Sequence, residues 1–567
     1  MQDCVEKVNT DVLVIGSGGA GALAALRVSD NGVKVLVVTK ENIRVGGATV
    51  MAAGGISIPY GEGDSPEIFY NDILRGGEYL NDPRLARILA EGARRSFIDL
   101  ENYGVVLDRV APESYRILIH SEGHTVRRAY MDRREGLGVC QAIGRAMIQR
   151  RIEFLPETII TRLLVAENAV FGAVGYCFSS GKIFVITAKT VILSTGGIGQ
   201  IYDMTTNGKS LTGDGIYLGY EAGADLMEME MVQFLPLTFP YPAGYRGIII
   251  GMSSLFGPGV RLLNGMGERF MERYEPERKE FVTRDLAARA NYMEIMSGRG
   301  TVNNAIWVDP TRNEKEIMEQ HKASLPHVFR MIEKVFGPEA ANWEKPFEAA
   351  PAQHFFMGGL RIDTCGETSV KNLFAVGECS AGVHGANRLS GNALTEIYVF
   401  GSHVGLKAAE RTKDIKSRTV PDGLSDEAIT DLLEHGQRSS QCSLPRPHEI
   451  IARLKQVMEK CMGPVRDGKT LERGAEQIGE LRSVFNEGVC LLPSDSLYNL
   501  DIVRSFELRS MLILADLMIR AASTRKESRG SHFRSDFPDK DREWQKNIIL
   551  RRGHDGEVKI QLGMPGQ

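Results

Sequence analysis

The stretch Asp11-Val-Leu-Val-Ile15-Gly16-Ser-Gly18-Gly-Ala-Gly21, continued by Lys34-Val-Leu-Val-Val38, decides the fold. Asp11–Ile15 is an apolar run of strand length, 22–31 reads as a helix and 34–38 as a second strand. The glycines between them form G-x-G-x-x-G in the strand–turn–helix–strand setting that a dinucleotide pyrophosphate requires. Gly16 makes the tight turn, Gly18 lets the pyrophosphate approach the backbone, and Gly21 lets the helix pack closely on the strand. The helix N-terminus adds partial positive charge. A plain NAD site ends its second strand in Asp or Glu, for the ribose hydroxyls. Here the strand ends in Thr39-Lys40, which disfavours that ligand.

The remaining composition narrows the class. The chain of 567 residues is long enough for three or four domains. A formal net charge of -4 gives no reason to expect a nucleic-acid partner. None of the eight cysteines forms a CxxC pair or shows zinc or iron–sulfur spacing, so no metal site is expected and any iron–sulfur centre must lie on a partner. The polar segment 1–10 has no apolar signal-peptide region. The most apolar stretch, 506–522, is interrupted by Glu507, Arg509, Asp516 and Arg520 and reads as a buried amphipathic helix. The expectation is a cytoplasmic protein with no membrane span of its own, reaching a membrane only through a partner.

Further glycine-rich motifs follow in order. Gly46-Gly47-Ala-Thr49 leads to Gly54-Gly55; Thr195-Gly196 follows the strand 190–193; Thr212-Gly-Asp214-Gly comes next. Later stand Ala375-Val-Gly-Glu378, His384-Gly-Ala-Asn-Arg388-Leu-Ser-Gly-Asn392-Ala393-Leu394 and Glu527-Ser-Arg-Gly-Ser-His532. Taken together, from 10 to 538, these motifs resemble the flavoprotein subunit of the succinate dehydrogenase/fumarate reductase family, which includes L-aspartate oxidase. The resemblance implies an α/β fold: a discontinuous Rossmann-like FAD-binding domain (1–231 and 347–406), an inserted α+β capping domain (232–346), a helical C-terminal domain (407–538) and a tail (539–567). Helical periodicity at 448–462 and 500–522, and a strand-like 558–562, fit that plan.

The resemblance also implies the cofactor, FAD, and its contacts: Gly16, Gly18, Gly21, Thr39, Lys40, Gly47, Thr49, Gly54, Gly55, Thr195, Gly196, Asp214, Glu378, Asn392, Ala393 and Leu394. Many family members attach FAD through a His in Ser-His-Thr. The matching triplet here is Gly47-Ala48-Thr49, so FAD is expected to be non-covalent. Three catalytic positions are retained, Arg284, His354 and Arg388. In the family Arg388 and His354 would hold a substrate carboxylate while Arg284 exchanges a proton. Their bland alternatives are a helix-start ion pair for Arg284 with Asp285, a core histidine, and a flavin-binding or backbone-binding arginine.

The substrate pocket departs from the family pattern. Gln233-Phe-Leu235 carries Leu where succinate and fumarate enzymes carry His, Met252-Ser253 stands where a Thr-Glu pair is expected, and the downstream relay arginine falls on Phe256. No acid or base occurs in 248–259. Burying a second carboxylate against such a wall costs several kcal/mol, on the order of the penalty for an unpaired buried charge. A substituted enoate, or the matching saturated acid, is therefore expected in place of a simple dicarboxylate. The alternative is that Arg246 or His124 replaces the lost contacts. Ser121 stands where aspartate oxidase has an acid, which disfavours that branch, although the adjacent Glu122 could compensate. Three activities stay open: hydride exchange with a substituted acid, succinate dehydrogenase or fumarate reductase proper, and an electron-transfer flavoprotein subunit without substrate chemistry. For the first of these an iron–sulfur partner is expected, with the oligomeric state left open.

Overall fold

The computed structural model describes residues 5–52, 55–111, 114–117, 123–132, 134–416, 419–437, 443–492, 497–553 and 555–566. Gly54, Ser121 and Glu122 lie outside them. The fingerprint reads as expected. Val12–Ile15 and Val35–Val38 are parallel partners in register Val12↔Val35. The helix between them, Gly19–Asp30, begins three residues earlier than the periodicity suggests, because Gly18 caps it in an extended conformation. These strands centre a five-stranded parallel sheet in the order Leu373–Ala375, Thr190–Leu193, Val12–Ile15, Val35–Val38, Glu153–Leu155. Each central strand is wholly buried, as expected when both faces are covered. A four-stranded sheet of Val5–Asn9, Lys182–Thr187, Ala169–Cys177 and Thr158–Ala166 lies beside it.

The insertion has its own sheet, in the order Ile249–Gly251, Val232–Thr238, Phe347–Phe356, Ile306–Asp309, Arg261–Leu263. It also has its own apolar core, which includes Phe239, Phe256, Phe329, Trp343 and Phe347. This moves one boundary. Phe347–Phe356 pairs antiparallel with Val232–Thr238 and with Ile306–Asp309, so it belongs to the sheet of the insertion and the chain returns to the FAD-binding unit after it. Four helices, Leu424–Gln437, Pro447–Cys461, Gly468–Glu487 and Leu500–Thr524, form the C-terminal helical region. The tail is not a free appendage. Asn547–Arg552 and Val558–Gly563 form a hairpin, and Asn547–Arg552 pairs with Leu226–Met227 in the sheet that also holds Gly359–Arg361. Among the described residues no helix is long and apolar enough to cross a membrane.

Candidate active site

A single cleft runs from the carboxyl ends of the parallel strands to the inner face of the insertion, where ligands of open α/β sheets bind. At its first end the glycines divide their work. Gly16 takes φ +108°, and a Cβ there would lie 2.3 Å from the Ser194 carbonyl oxygen. A Cβ on Gly21 would lie 2.1 Å from the Gly16 carbonyl oxygen, so Gly21 serves packing and does not line the cleft. Gly18 lines the cleft and faces open space, with nothing within 4 Å of the point where a Cβ would stand. That is the room a close-lying pyrophosphate needs. Gly47, Thr49, Gly55, Thr195 and Gly196 also line the cleft. Thr49 Oγ1 accepts from Gly19 N–H at 3.1 Å, fixing this loop to the first helical turn.

Thr39 and Lys40 end the second strand inside the cleft. Ser17 donates to Thr39 Oγ1 at 3.0 Å. Lys40 Nζ lies 2.7 Å from Asp214 and 2.6 Å from Glu507, and donates to Thr212 Oγ1 at 2.8 Å. Burial alone would pull the ammonium down, but the two carboxylates outweigh it and hold its pKa above the ordinary value. Burial pushes Glu507 up. In the sequence Glu507 stands only as an interruption of an apolar helix, and its polarity there is the available signal.

Glu378 lines the middle of the cleft. One carboxylate oxygen accepts from Phe356 N–H at 2.9 Å, and burial pushes the pKa up to about 8 against the opposing effects of that bond and of Arg388. Ala393 and Leu394 line the wall at the start of helix Asn392–Asp414. Asn392 is buried beneath them, and its side-chain amide has no protein hydrogen bond. The open cradle at Gly18, the positive φ of Gly47 and Gly196, and the buried carboxyl of Glu378 fit a long polar ligand lying across the strand ends.

All three expected catalytic residues reach the same cleft. His354 sits near the end of strand Phe347–Phe356, with Nδ1 2.9 Å from Thr206 Oγ1. Burial first, then Arg388 and Arg284, hold its pKa well below the usual range, so the ring is neutral and able to donate one hydrogen bond. Arg388 is 5 % exposed and stacks over Phe355 at 4.8 Å. Gln233 Nε2 donates to the Arg388 carbonyl at 2.8 Å and to Asn387 Oδ1 at 2.6 Å. Asn387 in turn donates to Asp285 at 3.1 Å. Arg284 opens helix Arg284–Glu294 and donates from Nη2 to Ser390 Oγ at 2.9 Å. Gln233 and Asn387 thus tie the Arg388 loop to the residue beside Arg284.

The expected substrate pocket separates into two groups. Leu235 and Met252 line the cleft. Gln233, Ser253 and His124 do not. Gln233 is turned to the Arg388 backbone, and Ser253 Oγ donates to the Glu280 carbonyl at 2.5 Å, because a buried donor left without a partner is costly. His124 lies behind Ser390. Arg246 pairs with Asp203 at 2.7 Å and is also outside the cleft wall. The helices Lys315–Ser324 and Pro326–Phe336, with Leu325 between them, contribute Leu325 and Val328, and also two polar groups, His321 and Ser324, that no motif announced.

A fold with this fingerprint, this cleft and these groups defines an FAD-dependent oxidoreductase. A model of the FAD binding domain matches residues 11–394, and one of the fumarate reductase flavoprotein C-terminal region matches 451–563. The chain belongs to the succinate dehydrogenase/fumarate reductase flavoprotein family, whose enzymes act on CH–CH groups. It is 39% identical over 555 residues to one subunit of the fumarate reductase (CoM/CoB) of Methanothermobacter marburgensis, covering 96% of this chain and 98% of the relative. It is 29% identical over 579 residues to a succinate dehydrogenase flavoprotein subunit of Rickettsia bellii, covering 97% and 94%. Among solved structures, a chain of E. coli quinol fumarate reductase superposes with TM-score 0.91 at 26% identity, covering 99% and 97%. Mycobacterium smegmatis Sdh1 superposes with TM-score 0.88 at 30% identity, covering 99% and 95%.

Proposed function

We propose that the protein exchanges hydride with the bond next to a carboxylate, on an acid that carries a substituent in place of a second carboxylate. The observation that carries this reading is the convergence of His354, Arg388 and Arg284 on one cleft whose wall also includes Leu235, Met252, Leu255, Leu325 and Val328. Bound FAD would supply a two-electron donor or acceptor of hydride. Arg388 and neutral His354 would hold the carboxylate by charge-assisted hydrogen bonds in a poorly hydrated site, drawing electron density from the adjacent double bond. Arg284 would give or take the proton at the second carbon. An arginine has a very high pKa, so such a role depends on close positioning. The pyrophosphate would lie along Gly16–Gly19, with Glu378 on the ribityl or ribose side and Ala393 and Leu394 against the ring system.

The methyl of Ala48 lines the cleft at the triplet where other members carry the linking His, which supports non-covalent FAD. The relatives are named as subunits, and this chain has no CxxC pair, which supports an iron–sulfur electron-transfer partner. The location in this reading is cytoplasmic. A second reading, fumarate reduction itself, is favoured by the name of the 39% identical relative and by His321 and Ser324 in the cleft wall. Arg284→Ala separates both from an electron-transfer role without substrate chemistry. Loss of substrate-driven flavin reoxidation, with FAD retained, supports the enzyme readings; unchanged turnover of a competent substrate sinks them.

A further inference from the structure

The segment 248–259 offers Arg284 no acid or base, so whatever holds this guanidinium comes from elsewhere. Its Nη2 donates to Ser390 Oγ at 2.9 Å. Ser390 is itself gripped from behind: its carbonyl oxygen accepts from Ser57 Oγ at 2.7 Å and lies 2.8 Å from His124 Nε2. The tautomer of His124 follows from its other nitrogen. Arg128 Nη1 lies 3.2 Å from His124 Nδ1, and a guanidinium can only donate, so Nδ1 accepts and the proton sits on Nε2, facing Ser390. Arg128 is locked in turn, bidentate to Asp64 at 2.9 and 2.8 Å and 2.9 Å from Asp72. The side chains of Arg128, His124, Asp64 and Asp72 are all at least 99 % buried.

We propose that Ser390 and His124 are positioning residues for the proton-exchanging arginine: Ser390 Oγ fixes Arg284, and His124, set by Arg128, fixes Ser390. This rests on the reading of Arg284 under Proposed function. Misplacing a reacting group by about 1 Å costs up to roughly a hundredfold in rate, whereas the carboxylate contacts of Arg388 and His354 do not involve Ser390 Oγ.

The test uses the full-length, FAD-loaded protein, photoreduced and mixed anaerobically with fumarate, crotonate and cinnamate. Ser390→Ala is expected to lower the limiting reoxidation rate roughly tenfold to hundredfold while the half-saturating substrate concentration stays within about twofold. Ser390→Thr keeps the hydroxyl and is expected to restore most of the rate, and His124→Gln is expected to fall with Ser390→Ala. A Ser390→Ala rate within about twofold of the parent, or a loss carried by half-saturation instead, overturns the proposal. Arg284→Lys runs alongside: if it too keeps the parental rate, the reading of Arg284 fails; if only it is slow, the positioning claim alone fails. A crystal structure of Ser390→Ala gives a readout free of turnover. A displaced or disordered Arg284 guanidinium is expected, and an unmoved one overturns the proposal.

Discussion

Glu378→Gln gives a pH-dependent stability difference that can be worked out from the structure. Glu378 is 9 % exposed as a residue, and burial pushes the pKa of its carboxyl from the ordinary 4.5 up to about 8. A raised folded-state pKa means that the folded protein favours the protonated form. The stability it contributes is complete below pH 4.5 and is lost as pH rises through 8. At 1.36 kcal/mol per unit, forcing the deficit costs about 2 kcal/mol at pH 6, where about 1.5 units separate the pH from the unfolded value, and about 5 kcal/mol at pH 9, where the full shift applies. The amide of the variant does not titrate, and its oxygen can still accept from Phe356 N–H. The advantage of Glu378→Gln over the parent should therefore grow by about 3 kcal/mol between pH 6 and pH 9. Glu228, also buried and pushed up to about 8, titrates in both proteins and cancels. The assay is denaturant unfolding of cofactor-free parent and variant at both pH values. Midpoints of the transition reporting the FAD-binding unit are compared, because a chain of several domains need not unfold in one step. A difference constant to within about 0.5 kcal/mol across that range would refute the buried, protonated carboxyl.

Gly18→Ala and Gly21→Ala should part company. Gly18 faces open space at negative φ, so Ala should leave the cofactor-free midpoint unchanged and weaken FAD binding in a flavin-fluorescence titration, whereas Gly21→Ala should lower both, since its methyl meets the Gly16 carbonyl. Lys40→Met leaves Asp214 and Glu507 without the ammonium between them; a loss of about 3–5 kcal/mol is expected for breaking a buried pair, larger at pH 8 than at pH 5, and an unchanged thermal midpoint would contradict it. Leu235→His replaces an apolar part of the wall with a hydrogen-bonding ring, and should raise the ratio of fumarate to cinnamate reoxidation rates in stopped flow; a ratio unmoved or lowered would show that Leu235 does not select against a second carboxylate.

The parts of the molecule that obey local rules were legible beforehand. Glycine spacing between two apolar runs points to a dinucleotide cradle, and the structure gives Gly16, Gly18 and Gly21 three different surroundings. Arg284, His354 and Arg388 were readable through their motifs, and the cleft brings them together. What stayed hidden depends on pairing between distant segments. Nothing in Phe347–Phe356 says whether its neighbours are parallel strands of the nucleotide fold or Val232–Thr238 of the insertion, because its mix of apolar residues with Glu348, Gln353 and His354 fits no single strand pattern and its partners are distant in sequence. The return of Asn547–Arg552 onto Leu226–Met227 is equally non-local. Ser253 and Gln233 were expected on the substrate side, but hydrogen bonds to distant segments turn them to Glu280 and to the Arg388 loop. His321 and Ser324 lie on a helix with no motif, and only packing brings them to the cleft.

The central claim, an enoate site with an apolar wall in place of the second carboxylate contact, is tested most directly by anaerobic stopped flow at the flavin absorbance band. The photoreduced protein is mixed with fumarate and, separately, with crotonate, cinnamate and thioester-substituted enoates. Faster reoxidation by a substituted enoate than by fumarate is the predicted result. Rapid reoxidation by fumarate, with the substituted enoates slow or silent, would contradict it and make this chain a fumarate reductase flavoprotein of the ordinary kind.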